Sequence, residues 1–302
     1  MKKKIGIYLI GIILAMASFV LLRPDQAFAA VTTEQSDFEI QPILPDEQVD
    51  MSLNYFNLSY PRDVKRTIRM RVQNFTDHKI VVHSDLRNAY TQSGGGIDFT
   101  AKKTGLDSSL QTPFTQVAKL TKGAELIKLN PKEVKIISAT IQMPKKDYRG
   151  MIYGDWHFIE YGNKGTKGAN AVGGNYAYSV GIILQGSPYL SYPDLKYVET
   201  KPILYQRHPA MGIKLRDPKV MAITKATVSA VILKKGVLGS THSFKATNVS
   251  IAPNSTLTLP ISWNYEQLKA GEYEIRVKVK GQNFANKFPQ TWQFKKWIEV
   301  NI

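Results

Sequence analysis

The chain contains no cysteine. That absence excludes disulfide staples, a lipoprotein thioether, a thiol nucleophile and any cysteine-ligated metal. The fold therefore rests on buried apolar surface, which contributes about 25 cal/mol per Å². Acidic residues are also scarce: 24 Asp and Glu stand against 40 Lys and Arg, a formal charge of +16. With so few carboxylates, naming any two as a glycosidase acid and base is arbitrary. No G-x-S-x-G or S-x-x-K motif occurs, and His78, His83, His157, His208 and His242 never fall at metal-ligand spacing on one element. His157 and Glu160 are three apart in a strand-like context, which sends them to opposite faces. The residues point to a non-enzyme with neither cofactor nor metal, although a triad needs no local signature. Long helical stripes are missing from the mature chain; "NYEQLKA" (264–270) allows one helical turn.

The basic excess favours polyanions: anionic wall polymers, anionic glycans, phospholipid surfaces or acidic proteins. The other reading of the charge is a set of solvated faces that only confer solubility. Nucleic acid is disfavoured, because no recognition-module signature is present and the N-terminus carries an export signal. That signal is Lys2 to Lys4, a largely apolar run from Ile5 to Leu22, and the small-x-small triplet Ala27-Phe28-Ala29. Residues 1–29 read as a signal peptide cut after Ala29, with an uncleaved anchor as the rival. Either reading sends the protein out of the cell.

Period-two alternation runs through what remains. "EYEIRVKVKG" sets Tyr273, Ile275, Val277 and Val279 against Glu274, Arg276, Lys278 and Lys280; "RTIRMRV" points Ile68, Met70 and Val72 inward. "IISATIQMP" points Ile137, Ala139, Ile141 and Met143 the same way. Half-buried antiparallel strands follow, and the class is all-β. The chain also repeats loosely. "LNPKEVKIISATIQMPKKDYRGMIYG" and "IAPNSTLTLPISWNYEQLKAGEYEIRV" share a Pro-led turn, an alternating strand, a polar connection, then Gly and another strand. This predicts two immunoglobulin-like sandwiches in tandem, at 30–160 and 176–302, joined by a Gly- and Asn-rich linker or border hairpin at 161–175.

"NAYTQSGGGIDFT" (88–100) contains Gly94-Gly95-Gly96. A phosphate cradle needs a helix after the glycines, and "IDFTAKK" reads as a strand. The expectation is a loop whose glycines admit positive φ, with Asn88 and Asp98 bonding nearby backbone. Tyr90, Tyr189 and Tyr192 fall in polar segments, where they either stack on sugar rings or pack locally.

The whole mature chain resembles the WxL-interacting proteins of Gram-positive bacteria. The resemblance rests on "PDEQ" (45–48), "YFNL" (55–58), "NAYTQSGGGIDF" (88–99) and "RGMIYGDWHF" (149–158), then "APNS" (252–255), "ISW" (261–263), "KAGEY" (269–273) and "WQFKKWIEV" (292–300). No Trp-x-Leu occurs, so the chain looks like the interacting partner and not a WxL-domain protein. The family implies an Ig-like peptidoglycan-binding domain followed by an Ig-like host-binding domain. It implies partners among peptidoglycan or an anionic wall polymer, a WxL-domain surface protein and a host extracellular-matrix protein, and a location at the cell wall. Asn54, Tyr55, Asn88, Tyr90, Gly94, Gly95, Gly96 and Asp98 match or adjoin the first-domain motifs and are the candidate peptidoglycan-binding residues. An assembly scaffold without glycan binding, or a wall hydrolase, are the alternatives. Two departures are visible: family members usually end in a transmembrane helix with a basic tail, whereas this sequence ends at "EVNI", and the family's usual Gly-Gly after "GMI" is Gly154-Asp155.

Overall fold

The computed structural model describes residues 36–99, 106–160, 176–186, 192–236, 241–284 and 287–301. The expected signal peptide, its cleavage at Ala29, the linker at 161–175 and Tyr189 lie outside the described residues. What is described is all-β apart from one helical turn, α1 (Phe114–Val117).

Two sheets form the first sandwich. One runs in the order β1 (Phe38–Ile43), β3 (Lys65–Asn74), β9 (Val134–Gln142), β7 (Ala118–Leu120). The other runs β2 (Phe56–Ser59), β11 (Ala177–Gln185), β10 (Met151–Glu160), β4 (Ile80–Asn88), β8 (Leu126–Leu129). The inward residues read from alternation are buried: Ile68, Met70 and Val72 from β3 and Ile137, Ala139 and Ile141 from β9 share a core with Trp156 and Phe158 from β10. The Trp156 indole N–H donates to Ser84 Oγ at 3.0 Å, and that hydroxyl donates to the Ala124 carbonyl at 2.7 Å. A large ring can be buried here because its one polar group is satisfied. Helix α1 adds Phe114, whose ring lies where a Cβ on Gly154 would sit, only 2.0 Å away. Gly154 is thus a packing requirement of the core.

The second sandwich stacks β12 (Lys196–Tyr205), β13 (His208–Asp217) and β16 (Ser255–Ser262) on β15 (Thr241–Ile251), β14 (Ile223–Lys234), β17 (Gly271–Asn283) and β18 (Pro289–Val300). Tyr273, Ile275, Val277 and Val279 point inward as expected, sharing a core with Met211, Ile213, Leu257 and Ile261.

One strand crosses the border expected at 161–175. β11 lies within the range assigned to the second sandwich, yet it pairs antiparallel with β10 along Met151–Ile159 and parallel with β2, inside the first. The reason is its composition: Val180, Ile182 and Leu184 belong to the first core. β2 has no other strand neighbour among the named strands, so β11 alone attaches it to the sheet.

The sequence repeat corresponds to a structural one. Pro131 and Pro253 each precede a residue with positive φ, Lys132 (58°) and Asn254 (50°), as expected where proline leads a tight turn. A strand in one sheet follows (β9 or β16), then a corner and a strand in the opposite sheet (β10 or β17). The helical turn that 264–270 allowed does not form. Asn264 (φ 49°) and Tyr265 (φ 70°) are both left-handed, which a right-handed turn excludes. This corner is fixed instead by Tyr273, whose hydroxyl donates to the Lys269 carbonyl at 2.6 Å while its ring is buried. Replacing Tyr273 by Phe leaves that carbonyl without its donor, and thermal unfolding should show a loss of about 1–2 kcal/mol.

Candidate functional site

The glycine segment forms a small hairpin, β5 (Tyr90–Thr91) and β6 (Ile97–Asp98), and its tip reaches the second sandwich. The Gly94 amide donates to the Thr258 carbonyl at 2.8 Å, and the Gly96 amide donates to the Ser250 carbonyl at 2.9 Å. All three glycines have positive φ (82°, 101° and 104°). A Cβ on Gly95 would stand 2.3 Å from Val249 Cγ1. Gly94, Gly95 and Gly96, candidate peptidoglycan-binding residues by motif, therefore sit at a joint between the sandwiches.

More contacts surround the tip. Thr91 Oγ1 lies 2.5 Å from Ser255 Oγ and accepts the Ala252 amide at 2.9 Å. Asn254 Nδ2 donates to the carbonyls of Ser109 (3.1 Å) and Pro218 (3.0 Å). The Arg216 guanidinium grips Asp107 with bonds of 2.8–3.0 Å and adds Ser108 Oγ at 2.9 Å. Burial acts to raise the Asp107 carboxyl, but Arg216 and the Ser109 amide and hydroxyl outweigh it and hold the group below its ordinary value. Ala89, Met151, Tyr153 and Ile183 from the first sandwich pack against Met221, Ala222 and Ala252 from the second. Three of the segments that carry the family resemblance, 88–99, 149–158 and 252–255, thus meet in one buried seam.

Beside the seam lies a cleft of about 720 Å³. Tyr55, Phe99, Tyr153 and Tyr178 give it aromatic walls, and Glu39, Gln41, Asn54 and Ser179 give it polar groups; Thr224, Ser250 and Phe284 close it from the second sandwich. Of the sequence candidates, Asn54 and Tyr55 line this cleft. Tyr90 and Asp98 bond each other across the hairpin, hydroxyl to Oδ2 at 3.0 Å. Asn88 instead serves the start of α1: its Oδ1 accepts the Thr115 amide and its Nδ2 donates to Thr115 Oγ1, both at 3.1 Å. Tyr192 is partly exposed and packs edge-on against Phe288.

The sequence reading missed a polar group that adjoins the cleft through Ser179. Asp155, His157 and Ser179 share the outer face of the β10–β11 pair, where Asp155 opposes Gly181 and His157 opposes Ser179. Ser179 Oγ lies 2.9 Å from Asp155 Oδ2 and 3.1 Å from His157 Nδ1. Asp155 is fully buried, and its Oδ1 has no hydrogen-bond partner among the described residues. Burial pushes its pKa up to about 8, against a smaller lowering by Ser179, so the carboxyl is largely protonated at neutral pH. The hydroxyl bridges carboxyl and imidazole, the reverse of the order in which a carboxylate holds an imidazole to accept a serine proton. The cluster's visible sequence signal was one carboxylate in the otherwise apolar and aromatic run "GMIYGDWHF".

Residues 38–160 match the family described as WxL Interacting Protein, peptidoglycan binding domain, and residues 167–302 match its companion, WxL Interacting Protein, host binding domain. Two matches to binding domains, which together span most of the chain, define a binding protein. The chain belongs to the WxL-interacting protein family, whose two domains act in binding at the cell surface. A comparison with curated proteins finds no match. Among solved structures, the YadV chaperone aligns at 10% identity with a TM-score of 0.37, covering 88% of this chain and 100% of that one. The SafB chaperone of Salmonella enterica, in complex with the SafA pilin, aligns at 10% identity and 0.36, covering 88% and 98%. The CsuC–CsuE pair of Acinetobacter baumannii aligns at 12% and 0.36, covering 78% and 98%. Likenesses this shallow say nothing of function.

Two tests follow from this geometry. Gly95→Ala forces a Cβ into Val249 and strains a left-handed residue. It should weaken the joint by about 1–3 kcal/mol, read as faster hydrogen exchange at residues 90–98 with both sandwich cores still protected. The second test concerns pH. Asp155 and Asp217 are both buried with carboxyls raised by burial, to about 8 and about 7. A raised carboxyl binds its proton more tightly in the fold, so its stabilisation is complete below pH ~4 and is lost as pH rises toward 7–8. The melting temperature should fall between pH 5 and 8, and Asp155→Asn should flatten that fall.

Proposed function

We propose that the first sandwich holds peptidoglycan in the cleft lined by Asn54, Tyr55, Phe99 and Tyr178, while the second presents its free faces to a WxL-domain protein or a host matrix protein. The observation that carries this reading is the cleft's chemistry on the domain that matches the peptidoglycan-binding description. Aromatic rings offer flat apolar surface to sugar faces, and amide and hydroxyl side chains offer directional bonds to sugar hydroxyls and acetamido groups. A cysteine-free, basic protein with an export-type N-terminal sequence suits an anionic envelope. The reading requires no bond-making chemistry.

Retention of the purified protein on insoluble peptidoglycan tests it. Wild type should sediment with the polymer at physiological salt, and the pair Asn54→Ala and Tyr178→Ala should lose about tenfold in affinity, a change of ~1.4 kcal/mol. Absence of retention by the wild-type protein overturns the wall-binding half. Release of soluble muropeptides would instead revive the hydrolase reading.

A further inference from the structure

The outer face of the sheet β15-β14-β17-β18 carries a compact array of cations. Its register sets Lys245, Ser229, Lys278 and Gln293 in one row across the four strands. Ser243, Val231, Arg276 and Lys295 form the next row, and Thr227, Lys280 and Thr291 flank the first on its other side. Lys245, Arg276, Lys278, Lys280 and Lys295 are all exposed. Arg276 and Lys295 share Glu274, at 2.7 and 3.1 Å. Among the described residues, no carboxylate lies within ion-pair range of Lys245, Lys278 or Lys280.

The shape suits an extended ligand. A shallow trough of about 370 Å³ runs over β17 on this face, with Ser229 and Val231 of β14 on one side, Gln293 and Lys295 of β18 on the other, and Arg276 and Lys278 between them; Lys245 of β15 flanks it beyond Ser229. Along β17, Arg276, Lys278 and Lys280 repeat every second residue, a spacing of about 7 Å. At the end of the same face Trp297 is 53% exposed, directly opposite Glu274, with the Lys235 ammonium 5.9 Å from its ring. Cations at a regular pitch, hydroxyl and amide side chains between them, and one flat ring match a chain of sugar units with an anionic group on successive residues.

We propose that this face binds a sulfated polysaccharide of the glycosaminoglycan class, lying along β17 with a sugar ring against Trp297. The proposal rests on the host-binding reading of the second sandwich and names the chemistry recognised there. Phosphate polymers and nucleic acid satisfy the charge but leave the sugar-directed groups unused.

Heparin is the probe, with the full chain at about 0.15 M salt. Replacing Lys245, Lys278 and Lys280 with Gln should weaken heparin binding by about tenfold or more and make it less salt-dependent. Replacing Lys65, Arg69 and Arg71 with Gln, on the first sandwich, should change it by roughly twofold or less. Trp297→Ala should weaken heparin and leave polyphosphate unaffected. An equal loss in both charge variants, or polyphosphate and duplex DNA competing as well as heparin, overturns the proposal. Host-cell binding separates the two readings. If wild type binds cells and heparinase treatment changes nothing, this proposal fails and host binding stands. If heparin binds as described and cells do not, the reverse holds.

Discussion

Two backbone amides, those of Gly94 and Gly96, reach across from one sandwich to carbonyls of the other. That approach is possible only because Gly95 has no Cβ to meet Val249. Thr91 meets Ser255, Asp107 meets Arg216 and Asn254 reaches Ser109 around the same point, and an apolar patch from Ala89 to Ala252 is buried beneath. The cleft exists as a consequence: Phe99 follows directly from the hairpin that makes the joint, and Thr224, Ser250 and Phe284 come from the sandwich it grips. A ligand in the cleft therefore touches both modules.

The shortage of acids shapes the interior as much as the surface. Several of the carboxylates present are committed: Asp107 to Arg216, Glu274 to Arg276 and Lys295, Glu47 to Arg66. The Arg276 hydrogen bond, helped by Lys295 and against a smaller effect of burial, brings Glu274 down to about 2. Asp155 and Asp217 are buried in the opposite sense, raised and incompletely bonded. With acids engaged this way, lysines on the outer strand positions of β15 and β17 stay uncompensated, and the excess of cations becomes a property of particular faces.

The strands were legible because burial on one side of a sheet imposes period two, as "EYEIRVKVKG" and "RTIRMRV" show. The sheet that receives β11 was not: the strand has the same alternation whichever core takes it, and only the pairing with β10 and β2 decides. Asn54 and Tyr55 were singled out from the motifs and do line the cleft, whereas Tyr153, Tyr178 and Ser179 come together only through cross-strand register. The glycines were read correctly as positive-φ residues, but their role depends on Val249, more than 150 positions away. No local pattern carries that information. The segment 264–270 misled because its composition resembles a helical turn, while two adjacent left-handed residues shape the corner.

The placement of β11 has a consequence for how such a protein can be divided. A polypeptide severed between Glu160 and Ala177 leaves one fragment with a gap in the middle of its sheet, β2 adrift and β10 open along its length. The other fragment carries the missing piece as an unsupported leader with Val180, Ile182 and Leu184 bare to solvent. Each half carries edges that only the other completes. A cut at the interval that looks like a module border from composition thus divides one sheet of the first sandwich.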